Sequence, residues 1–335
     1  MLKPADRPLC EIHDLAVLDL DGVVYVGRRA VPGAVRALRQ AQEAGMKLGF
    51  VTNNAARPPD AVAEHLRSLG VPAEAADVVT SAQAAARVVS ELVPRGSTVF
   101  LVGGDGLDEA LRDRGLRPVT EPEEGVAAVV QGFSPTMPWQ RVVDGAMLVA
   151  QGLPWVASNT DMSLPTERGL GPGNGTLVDL VARFAHRSPE VAGKPHAALF
   201  EETLDRVGGD RPLFVGDRLD TDIAGAVAIG WDSLLVMTGV TRLEELVAAP
   251  PEQRPTYLAP DLGGLLAGQP GVAATADEGH RVELGGWTTQ VEDGQLSSCG
   301  RGSAADWWRA VAVTAWSHLD AAGTVVDTTG VRPPG

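Results

Sequence analysis

The stretch LAVLDLDGVV, residues 15–24, is the most informative part of this 335-residue chain. Apolar residues lead into Asp19 and Asp21, and Gly22 follows directly. An apolar run that stops at a turn residue predicts a buried parallel strand whose carboxyl end carries both acids. Ligands of open α/β sheets bind outside this end of the strands. Because two adjacent carboxylates repel each other and resist desolvation, the pair indicates a cation site. A solvated turn is the alternative.

Two further segments place polar side chains at the end of a strand or the start of a helix. The strand predicted over residues 47–52 ends in Thr52, and Asn53 and Asn54 follow it. Lys194 lies in a Gly-Lys-Pro sequence. Proline is favoured in the first turn of a helix, so this sequence predicts that a helix begins directly after the lysine.

An acidic group follows another predicted strand, residues 213–215. The sequence GDRLDTD over residues 216–222 includes Asp217 and Asp222. Three strand ends and one helix start thus supply Asp, Asp, Thr, Asn, Lys, Asp and Asp, in that order. In residue type, order and strand context, this set resembles the four motifs of the haloacid dehalogenase superfamily over roughly residues 15–262.

About 140 residues separate Thr52 from Lys194, a spacing similar to that of the branch with a large α/β cap inserted after the second motif. This branch contains the NagD-like and 4-nitrophenylphosphatase-like phosphatases, and the chain most resembles its actinobacterial glycerol 3-phosphate phosphatases. The resemblance implies an α/β fold: a Rossmann-like, doubly wound parallel-sheet core, the inserted α/β cap and a small α+β C-terminal extension. We assign the core to residues 1–83 plus 186–262, the cap to 84–185, and a linker with the extension to 263–335.

The resemblance also implies a magnesium-dependent phosphatase. Asp19 would attack phosphorus, and Asp21 would serve as general acid and base. The side chain of Asp19, the backbone carbonyl of Asp21 and the side chain of Asp217 would bind Mg²⁺. Lys194 would contribute a compact positive charge to the phosphate and to the intermediate on Asp19.

Other polar residues receive supporting roles. Thr52 would donate its hydroxyl to the phosphate, with capping of the following turn as the alternative. Asn53 resembles a second phosphate or substrate contact, and Asn54 either joins it or holds the loop through an Asx-type bond. Asp222 would orient the waters of the metal or the ammonium of Lys194, or cap its own helix.

The cap offers weaker candidates. Residues 158–161 end a predicted strand, and the sequence predicts a long glycine-rich loop over 165–175. Glycines allow close approach of a backbone to a ligand. Asn159, Asp161 and Arg168 are therefore candidate substrate contacts, although a purely structural role for this segment is an equal alternative.

Composition restricts the class of partner. The net charge is −15, from 28 basic and 43 acidic residues, which argues against nucleic acid and against anionic membranes. The two cysteines are far apart, as expected in a reducing compartment. With no apolar signal core and no membrane-length apolar run, we expect a soluble cytoplasmic protein. The expected partner is a small phosphorylated metabolite. The oligomeric state stays open, with a cap-mediated homodimer as one option.

Glycerol 3-phosphate is the predicted substrate. A large cap limits the volume of the site, clustered basic residues for a second phosphate are missing from the cap sequence, and the polar segment 159–174 suits a polyol. The choice of glycerol itself rests on the resemblance. The alternatives are pyridoxal phosphate, phosphoglycolate or a nucleoside monophosphate, a phosphomutase reaction, or a module that binds a phosphorylated metabolite without turnover.

The C-terminal segment has a different character. Residues 264–276, rich in small side chains, are predicted to form a linker. Strands are predicted over 280–287 and 288–298, with a turn at 292–295, and a helix over 303–319. Four of the seven tryptophans lie beyond residue 286. Such a segment is marginal on its own. We expect it to pack on the core or on a partner, and we assign it no chemistry.

Overall fold

The computed structural model describes residues 2–166, 169–274 and 280–334, with only the backbone at 165 and 166. The chain forms two compact units. The first unit contains residues 1–48, 69–71 and 209–335, and the second contains residues 49–68 and 72–208. This division does not test the predicted domain limits after residues 83, 185 and 262, which stay predictions.

Parallel strands form the central sheet of the first unit. Their order is Tyr257–Ala259, Asp232–Val236, Pro212–Gly216 and Leu15–Asp19. All residues of Leu15–Asp19 are buried, as the continuous apolar run predicts for a strand covered on both faces. Leu18 pairs with Val215, so Asp19 and Gly216 lie level at the carboxyl edge of the sheet. The predicted strand before the two acids is confirmed.

Helices and short turns connect these strands. The α-helices described in the first unit are Leu9–Ile12, Ala34–Glu43, Ala224–Ala228, Leu243–Val247 and Ala304–Ala322. Shorter 3₁₀ helices cover Pro251–Gln253 and Leu262–Leu266, and a small hairpin pairs Tyr25–Val26 with Arg29–Ala30.

The helix that Asp222 could cap does not begin as an ordinary α-helix. A π-helical turn, Leu219–Ile223, precedes the α-helix Ala224–Ala228. The carbonyl of Arg218 accepts hydrogen bonds from the N–H groups of both Asp222 (3.2 Å) and Ile223 (3.1 Å). This wider turn directs the Asp222 carboxylate back toward the preceding backbone, so an ordinary first helical turn does not form there.

Part of the predicted linker is ordered core structure. Leu262–Leu266 forms a 3₁₀ helix in which Leu262 and Leu265 are buried. Gln269 exchanges two backbone hydrogen bonds of 2.7 Å with Ala5. The small residues of this segment suggested flexibility, but the two leucines, three positions apart, anchor it to the first unit. Residues 275 and 276 lie outside the described part of the chain.

The C-terminal segment forms three strands and a helix, where two strand stretches and a helix were predicted. Val282–Leu284, Trp287–Glu292 and Gln295–Gly300 pair antiparallel, and the helix Ala304–Ala322 follows. Asp293 and Gly294 both have positive φ, 49° and 76°. Because this geometry matches the twist of a two-residue hairpin, the turn predicted at 292–295 is confirmed.

The C-terminal segment packs on the rest of the first unit. Trp307 and Trp316 share an apolar cluster with Leu235, Leu246 and Leu258. The indole N–H of Trp316 donates to the carbonyl of Leu246 at 2.7 Å.

An ion pair adds to this contact. Arg254, whose guanidinium lies 5.4 Å from the centre of the Trp316 ring, donates two hydrogen bonds of 2.7 Å to Asp320. The hydrogen bonds and the charge of Arg254 lower the pKa of Asp320. Of the two predicted positions for the segment, on the core or on a partner, the first is therefore observed.

The second unit contains a separate parallel sheet. Its strand order is Glu190–Val191, Trp155–Ala157, Val126–Gln131, Thr98–Val102 and Arg117–Val119. The cap was predicted to have such a sheet of its own. The two outer strands, which span two and three residues, were not predicted because they are too short to show an apolar pattern.

Helices surround this sheet and precede it. They are Pro59–Ser68, Ser81–Leu92, Asp105–Asp113, Trp139–Ala150, Asn174–Ala185 and Ala197–Val207, with a 3₁₀ turn at Ala75–Asp77. The strand Lys47–Thr52 crosses from the first unit into the second and pairs in parallel with Val78–Thr80. A hairpin joins Ser163–Thr166 to Gly169–Pro172. Across the described ranges, every helix is too short or too polar to cross a membrane.

Replacement of Trp316 tests the attachment of the C-terminal segment. Trp316 is fully buried, whereas Trp139 is 62% exposed. We expect Trp316→Ala to lower the free energy of unfolding by about 3–5 kcal/mol, because it leaves a cavity in the apolar cluster and removes the hydrogen bond to the Leu246 carbonyl. Trp139→Ala, the matched control, should change it by less than about 0.5 kcal/mol. Equal urea midpoints for the two variants would contradict the packing described above.

Candidate active site

Three buried carboxylates converge in the first unit. Asp19 ends the strand Leu15–Asp19, Asp217 follows the strand Pro212–Gly216, and Asp222 lies in the next turn. One oxygen from each lies within 4.8 Å of the others. Three negative charges removed from water at this distance repel strongly, and a cation relieves both the repulsion and the desolvation. Carboxylate oxygens are the donors that Mg²⁺ prefers, so this set fits that ion.

The loop that follows the neighbouring strand, Asp232–Val236, fixes Asp217. The N–H of Val240 donates to Asp217 Oδ2 at 2.5 Å, and the N–H of Thr241 donates to the carbonyl of Asp217 at 3.2 Å. A Cβ on Gly239 would lie 1.9 Å from the same Oδ2. Sequence reasoning missed this loop. The signal was available, because it follows Asp232–Val236 at the same edge of the sheet.

Asp222 shapes the acidic loop from within. Its Oδ2 accepts hydrogen bonds from the N–H groups of Asp217 and Arg218, both at 3.1 Å. A Cβ on Gly216 would lie 2.3 Å from the Cβ of Asp222, so only glycine permits this approach. The predicted role of Asp222 behind the metal ligands stays a prediction. The structure adds that its carboxylate holds the backbone that presents Asp217.

Asp220, in the same turn, is exposed. Arg218 binds its carboxylate with two hydrogen bonds of 3.0 and 2.8 Å. Partial burial raises the pKa of Asp220, but the hydrogen bonds and charge of Arg218 outweigh it and leave the pKa below its usual value.

The loop after Asp19 is tightly folded. The N–H groups of Val24 and Tyr25 donate to the carbonyl of Leu20 at 2.9 and 3.1 Å, and the N–H of Gly22 donates to the carbonyl of Tyr25 at 2.8 Å. Gly22 has φ +86°, and a Cβ there would lie 2.6 Å from Asp217 Oδ2. Asp21 is exposed on this loop.

Thr52 and Asn54 form a turn in the second unit. The N–H of Asn54 donates to Thr52 Oγ1 at 3.1 Å, and the N–H of Ala56 donates to Asn54 Oδ1 at 2.9 Å. The second bond is the Asx-type closure that was one predicted role of Asn54. The hydroxyl of Thr52 accepts in the first bond, so that bond does not use the hydroxyl proton.

Asn53 contacts Lys194 directly. Its Oδ1 accepts from the backbone N–H of Lys194 at 2.9 Å, and its Nδ2 donates to the carbonyl of Lys194 at 3.2 Å. A further bond of 3.2 Å joins Nδ2 to Asp161 Oδ1. Asn53 and Lys194 are both almost fully buried. The structure thus brings together three residues that were predicted on separate segments.

The start of the following helix differs from the prediction. The helix spans Ala197–Val207 with His196 at its N-cap, and the Lys194–Pro195 peptide bond is cis. Pro195 therefore lies before the cap and not in the first turn. Lys194 consequently lies on the connection between the strand Glu190–Val191 and this helix.

The predicted glycine-rich loop is a hairpin followed by a helix. Cβ atoms on Gly173 and Gly175 would lie 2.2 Å from the carbonyl oxygens of Asp161 and Thr160, respectively. These glycines therefore allow the chain to approach its own backbone. Arg168, a candidate substrate contact, lies outside the described residues.

Asn159 also binds protein groups. Its Nδ2 donates to the carbonyl of Asn53 at 2.7 Å, and its Oδ1 accepts from the N–H of Asp161 at 3.1 Å. Asn174 Nδ2 in turn donates to the carbonyl of Asn159 at 2.7 Å. Asn174 was not predicted, because an amide inside a glycine-rich stretch gives no distinct signal.

The fold and the acidic cluster define a class of enzyme with a carboxylate-lined site at the carboxyl edge of a parallel sheet. A family model for haloacid dehalogenase-like hydrolases matches residues 16–117, and a related HAD-hydrolase-like model matches residues 191–265. The chain belongs to the haloacid dehalogenase-like hydrolase family, as the order of its motifs predicted.

Similar proteins include named phosphatases. D-glycerol 3-phosphate phosphatase of Mycobacterium tuberculosis is 42% identical over 285 residues, which cover 85% of this chain and 80% of the relative. An acid sugar phosphatase of Staphylococcus aureus is 35% identical over 253 residues, 75% of this chain and 96% of that protein. The crystal structure of glycerol phosphate phosphatase from M. tuberculosis in complex with magnesium has a TM-score of 0.84 and 41% identity, covering 93% of this chain and 92% of that one.

Gly22 and Gly33 provide a matched test of the acidic cluster. Both have positive φ, +86° and +82°, but only a Cβ at Gly22 would meet Asp217, and at Gly33 nothing described lies within 4 Å. We expect both alanine variants to lose about 1–2 kcal/mol of stability through backbone strain, and Gly22→Ala to lose more because its Cβ also overlaps Asp217 and the backbone of Gly239. Only Gly22→Ala should also lose Mg²⁺ affinity in calorimetric titration. If the two variants bind Mg²⁺ equally well, Gly22 does not maintain the geometry of the cluster.

Proposed function

We propose that this protein is a magnesium-dependent phosphatase that hydrolyses small phosphomonoesters through an aspartyl-phosphate on Asp19. The convergence of Asp19, Asp217 and Asp222 in a buried cluster is the observation that carries the proposal. Family membership supports the reaction class. The relative whose structure was solved with magnesium supports the choice of ion.

Mg²⁺ would be held by the side chains of Asp19 and Asp217 and by the backbone carbonyl of Asp21. When bound, it would neutralise the repulsion between the attacking carboxylate and the phosphate oxygens. Asp222 would keep Asp217 in place through the two backbone N–H groups that it accepts from.

The reaction then proceeds in two displacements. A carboxylate oxygen of Asp19 forms a bond to phosphorus while the bond to the leaving alkoxide breaks, and Asp21 donates a proton to that alkoxide. In the second step Asp21 accepts a proton from water, whose oxygen attacks phosphorus and releases Asp19 and phosphate. In both steps, Lys194 would place a positive charge near the phosphate oxygens, and the hydroxyl of Thr52 would donate a hydrogen bond to them.

Glycerol 3-phosphate is the substrate that we propose. The M. tuberculosis relative that shares 42% identity carries that name, and the staphylococcal relative is named an acid sugar phosphatase. Both names describe enzymes for small phosphorylated compounds rich in hydroxyl groups. Asp161 and Arg168 stay candidate substrate contacts in the cap, whereas the Asn159 side chain is already bonded to protein groups. The cytoplasmic location and the homodimer stay predictions.

Isosteric replacement of the two acids tests their separate roles. We expect Asp19→Asn to abolish phosphate release, because the nucleophile is lost while its shape is kept. Asp21→Asn should reduce the rate by about 10²–10⁴-fold and leave Mg²⁺ binding intact, since the backbone carbonyl remains. Phosphate release and calorimetric Mg²⁺ titration measure both effects. Asp19→Asn activity within tenfold of the wild type would refute the proposed nucleophile.

A comparison of phosphate esters tests the substrate. We expect kcat/KM to be highest for glycerol 3-phosphate among a panel that includes pyridoxal phosphate, phosphoglycolate and a nucleoside monophosphate. A preference above about 100-fold for another member, equivalent to about 2.7 kcal/mol, would overturn the assignment. Transfer of phosphate to an added sugar phosphate, in place of release, would indicate a mutase.

A further inference from the structure

We propose that Asn53 is a positioning residue that holds Lys194 in place for the reaction, and that it does not itself bind the phosphate. This inference rests on the function proposed above. It replaces the phosphate contact that the sequence suggested for Asn53 with a role that acts through the backbone of the catalytic lysine.

The amide of Asn53 matches the peptide groups of Lys194 in both directions. Its oxygen accepts from the lysine N–H at 2.9 Å, and its nitrogen donates to the lysine carbonyl at 3.2 Å. A side-chain amide can do this because it carries one acceptor oxygen and two N–H donors. The second bond from Nδ2, to Asp161 Oδ1 at 3.2 Å, engages the other donor. A phosphate oxygen would have to displace one of these partners.

Asn53 is itself fixed by its surroundings. Its carbonyl accepts hydrogen bonds from Ser81 Oγ at 2.5 Å and from Asn159 Nδ2 at 2.7 Å. A Cβ on Gly193 would lie 2.7 Å from Asn53 Oδ1, so the glycine before Lys194 permits the close approach. The hydrogen bonds to the Asn53 carbonyl therefore hold Asn53 in place, and the absence of a side chain at Gly193 leaves room for its contact with Lys194.

Precise placement of Lys194 affects the rate. A lysine ammonium lies at the end of a flexible four-carbon chain, so its position depends on where the backbone starts that chain. A misplacement of about 1 Å in a catalytic group reduces rates by about 100-fold. Asn53 fixes that starting point on both sides of the Lys194 Cα.

A double-mutant cycle distinguishes positioning from direct binding. The variants are Asn53→Ala, Lys194→Met and the double variant, with kcat/KM measured for 4-nitrophenyl phosphate at saturating Mg²⁺. We expect Asn53→Ala to lower kcat/KM by about 100-fold when Lys194 is present, and to cause no further loss in the Lys194→Met background. A full additional loss in that background, or no loss in either, would overturn the proposal.

Gln83→Ala is the matched control for removal of a buried amide. Gln83 is as buried as Asn53, and its Oε1 accepts from the N–H of Thr80 at 2.9 Å. Its side chain completes the capping box of the helix Ser81–Leu92, whose N-cap residue is Thr80. We expect Gln83→Ala to lower stability and leave kcat/KM within about twofold. An equal loss of kcat/KM in both variants would mean that Asn53→Ala acts through general destabilisation, and the positioning role would be refuted.

Amide hydrogen exchange at Lys194 tests the contact without requiring turnover. Asn53→Ala should speed exchange of the Lys194 N–H by about tenfold or more, because it removes the acceptor of that N–H, whereas the control Gln83→Ala should leave it nearly unchanged. Unchanged exchange in Asn53→Ala would refute the proposed contact. A wild-type protein that releases no phosphate from any ester, yet shows this exchange pattern, would refute the proposed function and leave the Asn53–Lys194 contact established.

Discussion

The mutual repulsion of three buried carboxylates is the constraint around which the first unit is organised. Asp19, Asp217 and Asp222 lie at one edge of a parallel sheet, where strand ends bring them together. Their proximity is possible because glycines at 22, 216 and 239 leave no side chain in the way. Backbone N–H groups direct positive dipoles at the carboxylates of Asp217 and Asp222. A bound cation would supply the positive charge that these dipoles alone cannot.

In the second unit, neutral side-chain amides connect backbone segments where the first unit uses charged carboxylates. Asn53, Asn159 and Asn174 connect one backbone segment to the next through side-chain amides. An amide donates and accepts at once, so it can join two stretches of chain without adding a buried charge. The contrast matches the chemistry that we propose for each unit. We propose that the carboxylates bind a cation and supply the nucleophile, and that the amides position a single lysine.

The sequence predicted the elements whose signals are local. The apolar run before Asp19 and the acids after the strand Pro212–Gly216 could be recognised because burial on both faces leaves a continuous pattern. The partners of Asn53 could not be predicted, since Lys194 lies 141 positions away. Composition was misleading at 169–175, where the predicted loop is part of a hairpin and the start of a helix, and at 264–269, where the predicted linker includes an ordered 3₁₀ helix.

The apolar cluster under the C-terminal segment has a consequence for cooperativity. Leu219 and Ile223, which flank the turn that carries Asp222, belong to the same cluster as Trp307 and Trp316. Loosening of the terminal helix would therefore remove packing from the turn that presents a cluster carboxylate. The segment and the acidic cluster should therefore unfold as one cooperative unit. A protease cut in the C-terminal segment would then loosen the carboxyl edge of the sheet, where the cluster lies.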